Sequence, residues 1–271
     1  MANGDGTGDT RTAIGKMLRD SVIPKLVEDG SRRNAAPAQK PTTRSIVLDS
    51  KEVDETVYLL LDGKDSVVIA RADELLAQGH SVTDLILGYL GAIAERLGAF
   101  WVRDLCSFAD VTLGMATLHA ILRSKAGLLA SEVEGTDNSP SILITTVPGQ
   151  THVFGASVVE EFFRAAGWDV SSGFYETEAE CLEAVSSDAF DIVGLSIGAE
   201  RSVEDCRRFI GAIRDRSMNK DAKILVGGPL LAVDPDQVAT LGADASAPDA
   251  PSALKTARKL IEDGVRSGVP Q

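Results

Sequence analysis

Three short apolar segments in the second half of the chain each end in polar residues or glycine. They are residues 142–147, 191–196 and 223–229, and helical patterns lie between them. Alternation of strands and helices predicts a parallel sheet with helices on both faces. Such strands are buried on both sides, so residues 224–226 are apolar without alternation. We therefore predict an α/β domain with a flavodoxin-like strand order.

The sequence pattern gives approximate bounds for the elements of this domain. Predicted strands comprise residues 142–147, 168–172, 191–196, 223–229 and 243–246. Predicted helices comprise residues 156–166, 176–185, 202–217 and 254–263. The domain as a whole is expected to span residues 140–271.

Candidate functional residues follow the strand ends. His152 lies in the loop after the first apolar segment, Ser196 ends the second, and Gly227-Gly228 closes the third. Because ligands bind at the carboxyl ends of parallel strands, we expect these residues to share one edge of the sheet. His152 could be a metal ligand there, or it could hydrogen-bond a turn.

The ordered set resembles the cobalamin-binding domain of methionine synthase, corrinoid mutases and methyltransferases. The signature of that family is D-x-H-x-x-G, then S-x-L, then G-G. His152 and Gly155 fit H-x-x-G, Ser196 fits the serine, and Gly227 and Gly228 fit the glycine pair.

Two positions depart from the signature. Gln150 stands in place of the aspartate, and Gly198 replaces the leucine. In the family, the histidine displaces the dimethylbenzimidazole of the cofactor as the lower ligand to cobalt, and the aspartate holds its other ring nitrogen. A glutamine can orient the ring of His152 but brings no charge, so the resemblance implies a weaker and more easily exchanged Co–His bond.

The resemblance also gives roles to Ser196 and to the glycine pair. Ser196 would hydrogen-bond the buried base of the nucleotide tail of the cofactor, and Gly227 and Gly228 would leave a slot for that tail. Two alternatives stay open at these positions. Ser196 could simply cap a strand end, and the glycines could form a tight turn into Pro229.

Residues 46–125 show helical patterns throughout. Predicted helices comprise residues 53–61, 66–77, 81–97 and 108–122. Short connections predict an antiparallel four-helix bundle, with Ser81 capping the third helix. This N-terminal bundle resembles the helical cap that precedes the cobalamin-binding domain in many relatives. A polar link, residues 126–139, is expected to join the two domains.

Trp101 matches a cap tryptophan that lies over the upper face of the corrin in light-sensing and methyl-carrying relatives. The Glu-His pair that follows it in those proteins is replaced by Val111 and Thr112. The resemblance therefore favours a hydroxo, aquo or methyl upper ligand over adenosyl. Trp101 could also be an ordinary core aromatic residue.

Residues 1–45 form a polar N-terminal segment with one amphipathic stretch at residues 12–28, which Pro24 interrupts. This stretch could dock on the chain itself or bind a partner. No run of about 18 apolar residues and no secretory signal are present, so we expect a cytoplasmic protein without membrane contact. The net charge of −13 argues against direct nucleic-acid binding.

The chain lacks the motifs of common catalytic sites, and its three cysteines are widely spaced and expected to be buried thiols. We therefore expect a cofactor holder and not an enzyme. A freestanding cap and cobalamin domain is similar to the AerR/PpaA group, antirepressors of photosynthesis genes. That resemblance implies a light or redox photoreceptor regulating transcription through a DNA-binding repressor. A corrinoid methyl carrier and a haem-binding sensor, with His152 on iron, are the alternatives.

Overall fold

The computed structural model describes residues 46–136, 138–150, 153–198, 201–233 and 237–267. The chain divides into two compact units, residues 1–125 and 126–271. The predicted N-terminal segment, with its amphipathic stretch at residues 12–28, lies outside the described residues.

The first unit is helical, as the sequence predicted. Its helices are α1 (Ser50–Leu61), α2 (Asp65–Ala77), α3 (Val82–Val102) and α4 (Phe108–Leu129). Each helix contributes side chains that are almost fully buried, including Val57, Val68, Leu85 and Leu118. Burial of these apolar stripes stabilises the bundle, because each fully buried side chain contributes about 1.5–3 kcal/mol.

Local sequence signals place the starts of two of these helices. Asp49 accepts a hydrogen bond from the Glu52 backbone nitrogen at 2.8 Å, and Glu52 accepts one from the Asp49 nitrogen at 3.1 Å. This reciprocal pair satisfies backbone donors that the first turn of α1 leaves free. The expected cap of α3 is confirmed, because the Asp84 nitrogen donates to Ser81 Oγ at 2.9 Å.

The third helix departs from its predicted form. It continues through Gly98 to Val102, whereas the prediction ended it at Leu97. The cost of a glycine inside a helix is only about 1 kcal/mol, and the burial of Leu97 and Phe100 on either side outweighs it. Residues Leu85–Leu90 of this helix adopt a π-helical turn, which periodicity alone did not indicate.

Helix α3 is long and apolar enough to cross a membrane, with a mean hydropathy of 1.4 over its most apolar stretch. Such a helix was not predicted from the sequence, because an uninterrupted apolar run was looked for and none is present. Its side chains Leu85, Ile86, Leu90 and Ile93 are fully buried within the helical unit. These buried side chains account for part of the hydropathy, since 39% of the apolar stretch is buried, and the cytoplasmic location stays a prediction.

The second unit contains a five-stranded parallel sheet. Its strands are β1 (Ser141–Thr146), β2 (Asp169–Gly173), β3 (Ile192–Ser196), β4 (Lys223–Gly227) and β5 (Ala245–Ser246). Its helices are α5 (Phe154–Ala165), α6 (Glu178–Ser187), α7 (Val203–Arg216), α8 (Pro229–Val233), α9 (Gln237–Leu241) and α10 (Ala250–Ser267).

The strand order is β2-β1-β3-β4-β5, which confirms the predicted flavodoxin-like arrangement. The two faces of the sheet carry separate cores. Ile144, Ile192 and Leu225 pack with residues of α5 and α10 on one face. Leu143 and Val193 pack with residues of α6 and α7 on the other face. We call the first of these faces the α5/α10 face.

Three parts of this unit differ from the sequence prediction. The short helices α8 and α9 were not predicted, since five residues are too few to show a helical period. Part of the predicted linker, residues 126–139, is ordered structure, because α4 continues to Leu129 and the Thr136 nitrogen donates to the Ala166 carbonyl at 3.0 Å. The last helix begins at Ala250, four residues before the predicted start at 254.

Candidate functional site

The candidate site lies where the strand order reverses, at the carboxyl ends of β1 and β3. Thr146 is paired in register with Ser196, and Ser196 is paired with Gly227. The three residues therefore form one row across β1, β3 and β4, which we call the strand-end row. Ligands of doubly wound sheets bind at this switch point.

The side chains of the strand-end row point to the α5/α10 face. Side chains alternate between the faces of a strand, and Ile144, two residues before Thr146, lies in the core on that face. The same alternation from Ile192 places Gly194 and Ser196 there, and that from Leu225 places Gly227 there. The predicted residues Ser196 and Gly227 are thus adjacent on one surface of the sheet.

This surface is open at its carboxyl half. Gly194, Ser196 and Gly227 are partly exposed although they lie on the central strands β3 and β4. Their neighbours on the opposite face, Leu195 and Val226, are 2% and 1% exposed. The α5/α10 face therefore carries a surface of small, partly exposed residues at the carboxyl ends of β3 and β4. We call it the tail slot, after the nucleotide tail that the resemblance assigns to it.

Thr146 is a member of the site that the sequence prediction missed. Its side chain is 1% exposed, and its hydroxyl has no hydrogen-bond partner among the described residues. Buried polar atoms are nearly always paired, so an unpaired one next to the tail slot needs an explanation. The sequence shows a hydroxyl residue at the end of a strongly apolar strand, but Thr145 shares this signal, and only the register with Ser196 distinguishes Thr146.

The turn after β1 is held by two neighbouring loops. The guanidinium of Arg201 donates to the Pro148 carbonyl, and the Gly149 nitrogen donates to the Tyr175 carbonyl at 3.2 Å. Gly149 has a φ of +79°, which favours glycine. Gln150 follows this turn as a half-buried residue, and its Nε2 is buried without a partner in the described part of the chain.

His152, the predicted metal ligand, lies outside the described residues together with Thr151. The structure therefore gives no position for its ring. Among the described residues, no group of three or more His, Cys, Asp and Glu side chains could hold a metal ion.

The remaining predicted glycines differ in what the fold requires of them. Gly228 has a φ of +100°, and a Cβ there would lie 2.7 Å from the backbone nitrogen and oxygen of Ile197. The backbone alone explains this glycine, in agreement with the tight-turn interpretation. Gly155 is exposed in the first turn of α5, and a Cβ there would meet nothing within 4 Å.

Trp101 lies in the last turn of α3 and is half-buried. Partial burial is compatible with a core aromatic residue and with a ligand contact, so both predictions for Trp101 stay open. Leu105 and Phe108 follow it in the chain with exposed fractions of 51% and 68%. This end of the helical unit thus presents apolar side chains that the unit itself does not bury.

Two ionisable groups on α6, which packs on the opposite face of the sheet, have shifted pKa values. Burial raises the pKa of the Cys181 thiol to about 12, with a smaller contribution from the charge of Glu178. The Arg208 guanidinium, which donates to both carboxylate oxygens of Glu178 at 2.9 and 2.8 Å, holds the pKa of that carboxyl below its usual range. Neither group lies in the strand-end row. The row itself carries no charge, because it consists of Thr146, Ser196 and Gly227.

The arrangement brings together uncharged groups that can form hydrogen bonds. The tail slot has partly exposed backbone at Gly194 and Gly227 and a partly exposed hydroxyl at Ser196. Beside them lies the buried Thr146 hydroxyl, which has no partner among the described residues. Gln150 adds an unpaired amide nitrogen on the turn that leads to His152.

The chain is similar to one family of domains and to several individual proteins. Residues 140–258 match the B12 binding domain family. The chain is 24% identical over 172 residues to the 20.5 kDa protein from the bchF–crtJ intergenic region of Rhodobacter capsulatus, covering 64% of this chain and 89% of that protein. It is 25% identical over 218 residues to a corrinoid protein of Desulfitobacterium hafniense, covering 77% and 97%.

A solved structure shares the fold. The monomethylamine corrinoid protein of Methanosarcina barkeri superposes with a TM-score of 0.61 at 15% identity, over 78% of this chain and 100% of that protein.

Proposed function

Because residues 140–258 form a B12-binding domain, we propose that the chain binds cobalamin and uses it to control a DNA-binding repressor in response to light or redox state. The observation that carries the binding proposal is the strand-end row. It sets the partly exposed Ser196 and Gly227 beside the buried hydroxyl of Thr146 at the switch point of the sheet.

The residues of the second unit have complementary roles in this proposal. Ser196 hydrogen-bonds the base of the nucleotide tail, and Gly227 and Gly228 bring bare backbone against it. His152 is the proposed lower ligand to cobalt, with Gln150 orienting its ring, and Gly155 follows on the first turn of α5. When bound, the cobalt would supply chemistry that responds to light and to oxidation state, and His152 is the residue that would hold it.

Trp101 stays the proposed contact for the upper face of the corrin. The replacement of the Glu-His pair by Val111 and Thr112 supports a hydroxo, aquo or methyl upper ligand over adenosyl. With such a small upper ligand, the proposed sensor would respond without releasing an adenosyl group.

Regulation through a partner is supported by charge and by resemblance. A net charge of −13 makes phosphate neutralisation by this chain unfavourable. A repressor is proposed as the partner because of the resemblance to the AerR/PpaA group. For a change at the cobalt to alter repression, the two states of the protein must bind the repressor with different affinity.

The first test is spectroscopic. Purified protein would be mixed with hydroxocobalamin and, separately, with haem, and the absorption spectrum recorded after gel filtration. We expect a retained and shifted corrin spectrum in the native chain and loss of the shift in His152→Ala. His80→Ala, in the helical unit, is the matched control. A protein that retains only haem would be a haem sensor, and one that retains neither would contradict cofactor binding.

The second test addresses regulation. Cobalamin-loaded protein would be immobilised and used to capture the purified repressor in darkness, in light and under reducing conditions. We expect capture to change between these conditions in the native chain and to be constant in His152→Ala. Equal capture under all conditions would contradict a switch.

A corrinoid methyl carrier is the second candidate function. The observation that favours it is the similarity to the Desulfitobacterium corrinoid protein, which extends over 77% of this chain. Transfer of a labelled methyl group between the loaded chain and a methyltransferase encoded beside it would establish this function. In both cases we propose that the chain holds the cofactor and is not itself an enzyme.

A further inference from the structure

Thr146 and Thr145 are neighbours in β1 whose hydroxyls have opposite environments. Thr145 Oγ1 donates to the Gly173 carbonyl at 2.6 Å. Thr146 Oγ1 is buried and unpaired among the described residues. The two side chains point to opposite faces of the sheet, because consecutive residues of a strand alternate. The unpaired hydroxyl is therefore confined to the α5/α10 face, where the tail slot lies.

The surroundings of Thr146 limit what could pair with it. It lies in register with Ser196 on the adjacent strand, about 5 Å away across the sheet. The next pair toward the amino ends is Ile144 and Gly194, and a Cβ on Gly194 would lie 3.7 Å from the Ile144 side chain. A buried apolar side chain, a position without a side chain and two hydroxyls thus occupy neighbouring positions on β1 and β3. This combination suits the edge of a flat heteroaromatic base.

We propose that the Thr146 hydroxyl hydrogen-bonds the nucleotide tail of cobalamin and makes the site select corrinoids that carry this tail. The inference rests on the proposed cobalamin binding. Ser196 was assigned to the tail by resemblance, whereas Thr146 is assigned by its unpaired buried oxygen and its register with Ser196. Two hydroxyls on adjacent strands would then contact the same buried group.

The substitution Thr146→Val tests this contact, because valine keeps the shape of threonine and removes only the hydroxyl. Thr145→Val is the matched control on the next residue and the opposite face. Affinities of both variants and the native chain would be measured by absorption titration with two ligands. Hydroxocobalamin carries the nucleotide tail, and diaquocobinamide lacks it.

We expect Thr146→Val to weaken hydroxocobalamin binding by about five- to tenfold, the value of one hydrogen bond, and to leave diaquocobinamide binding unchanged. Without ligand, this variant should resist urea at least as well as the native chain, because it buries no unpaired hydroxyl. Thr145→Val should unfold at lower urea concentration and keep the native preference between the two ligands.

Three results would overturn the inference while leaving cobalamin binding in place. The first is an unchanged affinity of Thr146→Val for hydroxocobalamin, and the second is an equal loss for both corrinoids. The third is a lower stability of Thr146→Val than of the native chain without ligand, which would show that the hydroxyl has a structural partner such as a buried water. A native chain that binds neither corrinoid contradicts the proposed function itself.

Discussion

The Ser196 hydroxyl lies directly against Gly228, since a Cβ atom placed on Gly228 would be 2.9 Å from Ser196 Oγ. The same atom would be 2.7 Å from the Ile197 backbone nitrogen, which donates to the Gly227 carbonyl at 2.9 Å. The glycine pair therefore holds β3 and β4 close together at the strand-end row. Its geometry links the stability of the domain to the shape of the tail slot.

Substitution of Gly228 should lower the stability of the domain and change the shape of the tail slot. We expect Gly228→Ala to lower the free energy of unfolding by about 1–3 kcal/mol, because alanine is strained at a φ of +100° and has no room. Urea unfolding followed by circular dichroism would measure this loss. Gly211→Ala in α7 is the control, since a Cβ there meets nothing within 4 Å. That change should be neutral or stabilising by up to about 1 kcal/mol, and equal effects of the two substitutions would refute the argument.

Gln150→Asp should slow the exchange of the proposed lower ligand. The aspartate would restore the negative charge that the family signature carries beside the histidine and would make the ring of His152 more basic. In the cobalamin-loaded protein, displacement of the protein ligand by cyanide would be followed by stopped-flow absorption. Gln150→Asn, which shortens the side chain without adding charge, separates the effect of charge from that of size. An unchanged rate in Gln150→Asp would count against Gln150 as the orienting residue.

The cysteines should differ in reactivity. Cys181 and Cys206 are fully buried, and burial raises the pKa of Cys181 to about 12. Cys106 is partly exposed, so the sequence expectation of three buried thiols is wrong at this position. Burial and then the charge of Asp110 raise its pKa, and its labelling should therefore be slow at neutral pH and accelerate as pH rises.

Mass spectrometry after reaction of the folded protein with a maleimide would test this order. We expect one label, on Cys106, and three labels only after denaturation. Cys106→Ser should abolish labelling of the folded chain. Rapid labelling of Cys181 in the folded state would show that α6 is not packed on the sheet as described.

Tyr89 should make the helical unit sensitive to alkali. Burial raises its pKa from 10.0 to about 12, and its hydroxyl lies 3.4 Å from the Val68 carbonyl. Because the folded protein holds the tyrosine proton to higher pH than the unfolded chain, this contribution to stability is complete below pH 10 and is lost as pH rises through 12.

The loss should be on the order of 2 kcal/mol, and Tyr89→Phe should not show it. Unfolding by urea at several pH values between neutral and strongly alkaline would compare the two chains. Tyr58→Phe is the control, since Tyr58 is 56% exposed. Parallel pH profiles for the native chain and Tyr89→Phe would contradict the assignment.

The sequence by itself determined the order of the elements and the kind of domain they form. Apolar period and strand-end residues are local properties, so α1 to α4, the five strands and the places of Ser196 and Gly227 could be predicted from them. The family signature could be recognised for the same reason, because it depends on residue types at fixed spacing. Bounds failed where packing outweighs local preference, as at Gly98, which lies inside α3 because Leu97 and Phe100 are buried beside it.

Only the tertiary structure decided which residues meet. The register of β1 with β3 pairs Thr146 with Ser196, and helix packing buries the Thr146 hydroxyl without a partner in the described part of the chain. No local pattern distinguishes Thr146 from Thr145, since both are hydroxyl residues at the end of the same strand. Their difference arises from the two faces of the sheet, where one hydroxyl reaches the Gly173 carbonyl and the other faces the tail slot. Pairing and burial depend on residues distant in sequence, and for that reason they required the folded chain.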